Sequence, residues 1–368
     1  MTAEELRLAL MSWARRHGIL SEVVPFEEHG DLALVPFEPE AAEYFRTRKI
    51  VRVEAEGRRL SLFSRLPIAK AKKSAMVRSF ARRYGEEGYS LVVDESKPFR
   101  IDQAVETYGP FQPLRLHNDA ICCGSSIGLG NQRNAGTLTA LASDGGGTMY
   151  GISCNHVIGG CSIALPGIPV VSPGIQDVSV EDNQIHVIGD YSQPAQMAQG
   201  LPSVTNIDRN RDVACFEIRQ GAKLTSLQGQ GEDAYDTPTS FASVEVDMPV
   251  KKWGRSTGFT QGEVSHIIDR GKRPEALEYS VTCFYGPLNS QTFKGTVYFT
   301  DVYEVTPVGP PFSLGGDSGA LVVTDEPGRE EVVGLVIAGS KRKSMVLPLG
   351  PALEELGLQL VSNYGVES

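Results

Sequence analysis

The sequence predicts a mainly β protein: a pair of antiparallel β-barrels, preceded by a small α+β unit and closed by a C-terminal helix. Three observations carry this. From residue 136 onward, short apolar runs are broken repeatedly by Gly or Pro, with almost no helical periodicity before the end. The first hundred residues instead mix helix-like and strand-like patterns. The charge balance breaks at the same place: residues 1–100 carry 18 Lys/Arg against 15 Asp/Glu, whereas residues 101–368 carry 17 against 30. Two units, 1–110 and 111–368, are therefore expected, joined through Gly109-Pro110-Phe111-Gln112-Pro113.

Within the first unit, residues 3–17 place Leu6, Leu8, Leu10, Trp13 and Ala14 at helix-compatible spacing. Thr2 stands as N-cap and Glu5 completes a capping box. Strands are predicted at 32–37, 50–55, 59–63 and 89–93, and a basic helix at 70–84. That helix carries Lys70, Lys72, Lys73, Arg78, Arg82 and Arg83. Charge runs of this kind are ordinarily solvated faces; the sharper reading is a docking face for an acidic partner or for the acidic second unit. In the second unit, Ser143-Asp144-Gly145-Gly146-Gly147 joins 138–142 to 149–153 as a hairpin. Residues 286–290 form another turn. Residues 351–356 form the last helix, with Pro351 in its first turn. Gly128-Leu129-Gly130 is not a dinucleotide fingerprint, because Arg133 occupies the place of the third glycine.

Three segments carry chemistry. Gly316-Asp317-Ser318-Gly319 runs directly into the apolar stretch Ala320–Val323. The glycines allow a tight turn in which the N–H groups of Gly316 and Ser318 converge beside a serine hydroxyl, half of an acyl-transfer site. Upstream, Met149–Ile158 reads as a β-type run reaching His156, followed by Gly159-Gly160. Asp212 opens the alternating run Val213–Ile218. Nucleophile, base and orienting acid are thus all present, in the order His156, Asp212, Ser318. Asp177, Asp190 and Asp208 compete with Asp212 for the acid. Asp212 is preferred because a strand fixes it and Val213-Ala214 can bury its far side.

These segments resemble the trypsin-like, chymotrypsin-fold serine peptidases, and more narrowly the intracellular narrow-leaf-type peptidases of plants and their bacterial relatives. The resemblance rests on Gly136-Thr137-Leu138, Ser153-Cys154-Asn155-His156-Val157, Val171-Ser172-Pro173-Gly174 and Asp212-Val213-Ala214. It continues through Lys252-Trp253-Gly254-Arg255-Ser256-Thr257-Gly258 with Gly262, Gly316–Gly319 and Val333–Ser340, spanning about residues 117 to 361. It implies a chymotrypsin-like double β-barrel, a triad of His156, Asp212 and Ser318, and an oxyanion hole of Gly316 and Ser318. It further implies a substrate pocket near Phe312, Ile337, Ala338 and Gly339. The digestive-type Ala-Ala-His-Cys is absent, and Ala320 stands where secreted trypsins carry another glycine. Asp317 is expected to orient the oxyanion turn. In secreted trypsins the matching acid pairs with a newly cut N-terminus, a route that about 110 preceding residues make unavailable here.

The net charge of −10 argues against a general nucleic-acid binder, and no run of 18 or more apolar residues indicates a membrane span. Met1–Arg7 carries early acids and lacks a basic n-region, so export is not expected. The cysteines at 122, 123, 154, 161, 215 and 283 do not follow the secreted pattern, and reduced thiols in a cytoplasm are expected. Zinc at His117, Cys122 and Cys123 is discounted because adjacent cysteines rarely reach one tetrahedral ion. Neither metal nor cofactor is therefore expected, and self-association stays open.

Around the pocket stand Pro311, Phe312 and Ser313 without an acid, so a small or moderately apolar residue should precede the cut bond, not Lys or Arg. Asp301 and Glu304 remain candidates to lean in. Two function classes follow. One is an intracellular serine endopeptidase making limited cuts in a dedicated partner protein. Resemblance to bacterial relatives encoded beside effectors implies a partner that the cut switches on, for example an effector of antiphage defence. The other is a barrel kept as a binding or self-processing scaffold. An intact triad with its oxyanion glycines favours the enzyme. Residues 1–110 are expected to regulate or target it.

Overall fold

A computed structural model describes residues 2–16, 50–56, 58–64, 68–84, 90–95, 99–101, 112–178, 184–200, 205–268 and 274–366. The predicted strand at 32–37 and most of the Gly109–Pro113 segment lie outside them. Contacts divide the chain into Met1–Pro98 and Phe99–Ser368.

In the first unit the helix Ala3–Arg16 begins at the predicted capping box. The Thr2 N–H donates to the Glu5 carboxylate (2.8 Å) and the Glu5 N–H to Thr2 Oγ1 (3.2 Å). Its buried face is Leu6, Ala9 and Leu10. Ile50–Glu56 and Arg59–Ser64 pair antiparallel, and Ser90–Glu95 pairs parallel to Arg59–Ser64. A parallel return needs a crossover, and the helix Lys70–Tyr84 supplies it. Met76 of that helix is buried, while Lys70, Lys72 and Arg78 face solvent.

The second unit is mainly β, with one closed barrel and one half-barrel, as the expected double barrel requires. Six strands close into one barrel in the order Pro249–Gly254, Gly258–Ile268, Val302–Pro307, Ser344–Leu347, Val332–Gly339, Leu321–Thr324. Period-two alternation sends Val250, Val264, Val305, Val322 and Val346 inward. The other half-barrel is an eight-stranded sheet centred on Met149–Ser153 and Ala214–Ile218. The predicted hairpin Ala140–Ser143 to Met149–Ser153 belongs to it. Asp144 Oδ1 accepts from the Gly146 and Thr148 N–H groups to shape its turn. The terminal helix Gly350–Leu356 stops at Gly357, whose φ of 68° is left-handed, and Gln359–Leu360 then pairs back onto the half-barrel.

One expectation is corrected. The apolar run Met149–Ile158 is a strand only to Ser153, and His156 lies in a single helical turn, Asn155–Ile158. Asn155 competes with strand pairing: its amide donates to Ser162 Oγ (2.7 Å), its side-chain oxygen accepts from the Ser162 N–H (2.9 Å), and its carbonyl accepts from the Gly159 N–H.

Between Ile268 and Val302 the chain leaves the closed barrel as a long hairpin, Glu275–Gly286 with Asn289–Phe299, turning at the predicted 286–290. Alternate residues Leu277, Tyr279, Val281 and Cys283 are buried in the same apolar cluster as the half-barrel. Phe99–Ile101 adds a parallel third strand against Leu277–Tyr279.

All six cysteines are unpaired and buried. Almost no thiol should therefore react with an aromatic disulfide reagent in the native protein, and all six should react after denaturation without reductant. Two or more disulfides, found by mass after thiol-blocked lysis, would contradict this.

Candidate active site

The half-barrel brings two of the predicted groups together by strand register. Ser153 pairs with Ala214 at one end of an antiparallel ladder, so the chain leaving Ser153 and the chain entering Ala214 emerge side by side. His156 and Asp212 sit there, 5% and 0% exposed. Asp212 Oδ1 accepts from the His156 backbone N–H (2.9 Å), and Oδ2 meets the ring Nδ1 at 2.6 Å. A carboxylate only accepts, so Nδ1 carries the proton and Nε2 is left as the basic nitrogen. The rival acids are otherwise engaged or exposed: Asp177 pairs with Arg255, Asp190 with Arg219, and Asp208 faces solvent.

A third donor was not foreseen. Tyr279 Oη donates to Asp212 Oδ2 at 3.0 Å, and its ring lies 5.7 Å from the His156 ring. Burial, reinforced by the Asp212 charge, holds the Tyr279 phenol well above its usual range, so it stays a donor.

Ser318 lies on the predicted turn, where Gly316 (φ 98°) and Gly319 (φ 94°) adopt the left-handed region. The N–H groups of Asp317, Gly319 and Ala320 are spent on Leu314, Val336 and Asp317 carbonyls, and those of Gly316 and Ser318 are not among the turn's bonds. The half-barrel reaches across to fix this turn. The Thr137 N–H donates to the Ser318 carbonyl (2.8 Å), Thr137 Oγ1 to the Gly316 carbonyl (3.0 Å) and Thr139 Oγ1 to the Gly319 carbonyl (2.5 Å). Gly136 stands between Val157 and the Ser318 carbonyl so closely that a Cβ would collide with Val157. Histidine turn and serine turn thus flank one glycine.

Asp317 is fully buried beneath the turn. Its carboxylate accepts from the Leu314 N–H (2.9 Å), the Ser256 N–H (2.7 Å), the Thr257 N–H (3.2 Å) and Thr257 Oγ1 (2.8 Å). Lys252 Nζ stands 3.8 Å away, also fully buried, and donates to Thr257 Oγ1 and the Gly258 carbonyl. The Lys252 ammonium is pulled down to about 8, chiefly by burial, with Asp317 opposing and Arg115 adding to the fall. The sequence carried a signal for Lys252: it shares the inward face with Val250 on an alternating strand.

The expected pocket residues fare unevenly. Phe312 is not at an open pocket base; its ring is fully buried in the closed-barrel core under Lys252 Nζ, because its strand neighbours leave an apolar space there. Ile337 and Ala338 are buried, and Gly339 is half-buried. Gly339 lies so close to Ser313 that a Cβ would collide with Ser313 Oγ, which donates to Ser344 Oγ (2.6 Å). Asp301 and Glu304 instead face Arg211 and Lys343.

Cys154, His156 and Asp212 present ligand-type atoms within 4.8 Å of one another. Burial raises the Cys154 thiol well above its usual range, and the Asp212 charge raises it further, which makes it a poor ligand. Burial likewise pushes Cys122 up to about 11 and raises Cys123 further.

No family model and no curated protein sequence matches this chain. Among solved structures it is similar to protease A of Thermobifida fusca (17% identity, 66% of this chain and 98% of that one, TM-score 0.41). It is also similar to a chymotrypsin of Cellulomonas bogoriensis (16%, 66% and 98%, 0.38) and to Nocardiopsis protease (16%, 65% and 97%, 0.40).

Raising pH through about 8 should discharge Lys252 and loosen the turn above Asp317. The amide resonances of Gly316 and Ser318 should move with a midpoint there, and this movement should vanish in Lys252→Arg. The same group should not lower stability over that range. Between about 8 and the ordinary 10.5 the unfolded chain binds more protons, so its contribution to stability rises with pH. Amide resonances unmoved up to pH 10 would show that the lysine charge does not hold the turn.

Proposed function

We propose that this chain is a serine endopeptidase working through an acyl-enzyme, with Ser318 as nucleophile, His156 as general base and acid, and Asp212 as the orienting acid. The observation that carries this reading is the buried Asp212–His156 pair set beside a Gly-Asp-Ser-Gly turn whose internal bonds leave the N–H groups of Gly316 and Ser318. His156 Nε2 takes the Ser318 hydroxyl proton as Oγ attacks the scissile carbonyl. The oxyanion gathers at the Gly316 and Ser318 N–H groups. The imidazolium, held against Asp212, returns the proton to the departing amine. Water then repeats the sequence on the ester and frees the new carboxyl end.

A preference for a small or moderately apolar residue before the cut bond rests on the sequence, in which Pro311, Phe312 and Ser313 carry no acid. Six unpaired cysteines support an intracellular, cytoplasmic setting. Among the described residues no helix is long and apolar enough to cross a membrane. The proposal extends to cleavage of one dedicated partner protein, with residues 1–110 as the regulating or targeting unit; the change in charge balance and pattern between the two units supports that role. The effector of antiphage defence as that partner rests on the sequence resemblance.

A fluorophosphonate probe tests the reading. Wild type should label on Ser318, Ser318→Ala should not label, and His156→Ala should label at background rate with its fold intact. Asp212→Asn should lose on the order of 10⁴ in turnover, because the ring then settles in the wrong tautomer. Near-normal labelling of His156→Ala would refute the assignment.

A further inference from the structure

The long hairpin reaches the His–Asp pair from outside the closed barrel, through Tyr279. We propose that Tyr279 is a positioning residue for His156 and Asp212, and that the pairing of Phe99–Ile101 alongside it places this contact under the control of the segment joining the two units. The inference rests on the peptidase reading above.

Asp212 is fully buried, so each lone pair it turns inward must be met by a donor from the protein. Two donors come from His156 itself, and the third is Tyr279 Oη. Tyr279 Oη and His156 Nδ1 share one oxygen, Oδ2. The hydroxyl therefore fixes the rotation of the carboxylate about its χ2, and with it the direction in which the imidazole is aimed. The Tyr279 ring adds a second restraint. It lies tilted at 58° to the His156 ring and meets Phe293 of the same hairpin edge-on.

Tyr279 can do this only while its strand stays seated. On one side that strand pairs with Asn289–Phe299 of the same hairpin. On the other it pairs in parallel with Phe99–Ile101, in the register Leu277 with Phe99 and Tyr279 with Ile101. Phe99 is the first residue after the N-terminal unit. Three residues of ladder therefore separate the first unit's chain from the residue that steadies the catalytic acid. A pull that peels Phe99–Ile101 away frees one edge of the Tyr279 strand, with no change in either barrel.

The test uses full-length protein and a fluorophosphonate–rhodamine probe. Tyr279→Phe keeps the ring and removes only the hydroxyl, so the fold should persist. Its maximal labelling rate should fall about tenfold or more, as for loss of a hydrogen bond to a buried charge. The half-saturating probe concentration should stay unchanged, and the downfield proton resonance of His156 Nδ1 should shift. A merely structural tyrosine would move neither the rate nor that resonance. Arg100→Pro and Ile101→Pro are made separately, because N–H groups alternate along a strand and one of the two must face Leu277–Tyr279. At least one should reproduce part of the loss. Unchanged labelling and an unmoved resonance in Tyr279→Phe would overturn the positioning role, and wild-type behaviour of both proline variants would overturn the control by the linking strand. Failure of wild type to label would instead sink the peptidase reading, leaving the resonance to decide the role of Tyr279.

Discussion

Everything at the serine turn hangs on the buried carboxylate of Asp317. A fully buried charge is costly unless donors surround it, and here they come from two places at once. The Leu314 N–H belongs to the turn's own approach, whereas the Ser256 and Thr257 groups belong to the turn after Pro249–Gly254. One anion thus clamps two loops of the closed barrel. Lys252 supplies the countercharge from inside the barrel wall. Even so, Nζ stands 3.8 Å from the carboxylate and donates to Thr257 Oγ1, which in turn donates to Asp317. Charge and hydrogen bonds therefore run through one threonine hydroxyl. Removing one partner of such a buried pair leaves the other uncompensated, which is far more destabilising than the pair is stabilising. Gly254 follows from the same crowding, since a Cβ there would collide with Asp317 Oδ1.

The two buried acids divide the work of the site. Asp317 shapes the serine turn, and Asp212 holds the His156 ring; on the proposed reading the first would serve the oxyanion and the second the proton transfer. Each is held by groups that lie far apart in sequence, yet each is solved differently. Asp317 has a buried lysine, Lys252, as its countercharge. Asp212 has only neutral donors and the imidazole, so the positive charge that best suits it appears when His156 takes a proton. On the proposed peptidase reading, that asymmetry suits a turn that stays fixed and a histidine that takes up and returns a proton.

Much of this was legible in the chain because it is written locally. Gly316–Gly319 and Asp212–Ala214 are short local patterns, and the apolar runs broken by Gly and Pro from 136 onward marked the strands, whereas their closure into barrels came from the resemblance. The helix at Ala3–Arg16 was visible in its capping box, and Lys70–Tyr84 as a basic run. His156 was singled out and does meet Asp212, but its setting was misread, because an apolar run does not show that Asn155 will bend the chain into a helical turn. Phe312 was misplaced for a related reason: its neighbours in sequence suggested a pocket, and its neighbours in space are the valines of the barrel core. Lys252 was readable, as a charge at an inward position of an alternating strand. Tyr279 was not. Its role depends on a hairpin that leaves one barrel and folds onto the other half, and nothing within Glu275–Gly286 records where that hairpin lands.

The seam between the halves explains how residues from both can be held in fixed relative positions. It is built from hydroxyls and carbonyls: Ser153 Oγ donates to the Thr137 carbonyl, Thr137 and Thr139 donate to Gly316 and Gly319, and Thr137 Oγ1 accepts from the Arg255 N–H. Arg115 crosses the same boundary, donating to the Gly124 and Gly254 carbonyls while stacking on Trp253. The Arg255–Asp177 pair closes it further along, with Ser126 Oγ donating to the same carboxylate. Apolar contact is non-directional, so two greasy faces can slip without much loss. Hydrogen bonds lose most of their energy with small displacements and misalignments, and buried ones have no water to fall back on. A polar seam therefore fixes the relative position of Ser318 and His156 more sharply than a hydrophobic one of equal area could, which is why serine and histidine can come from different halves of the fold.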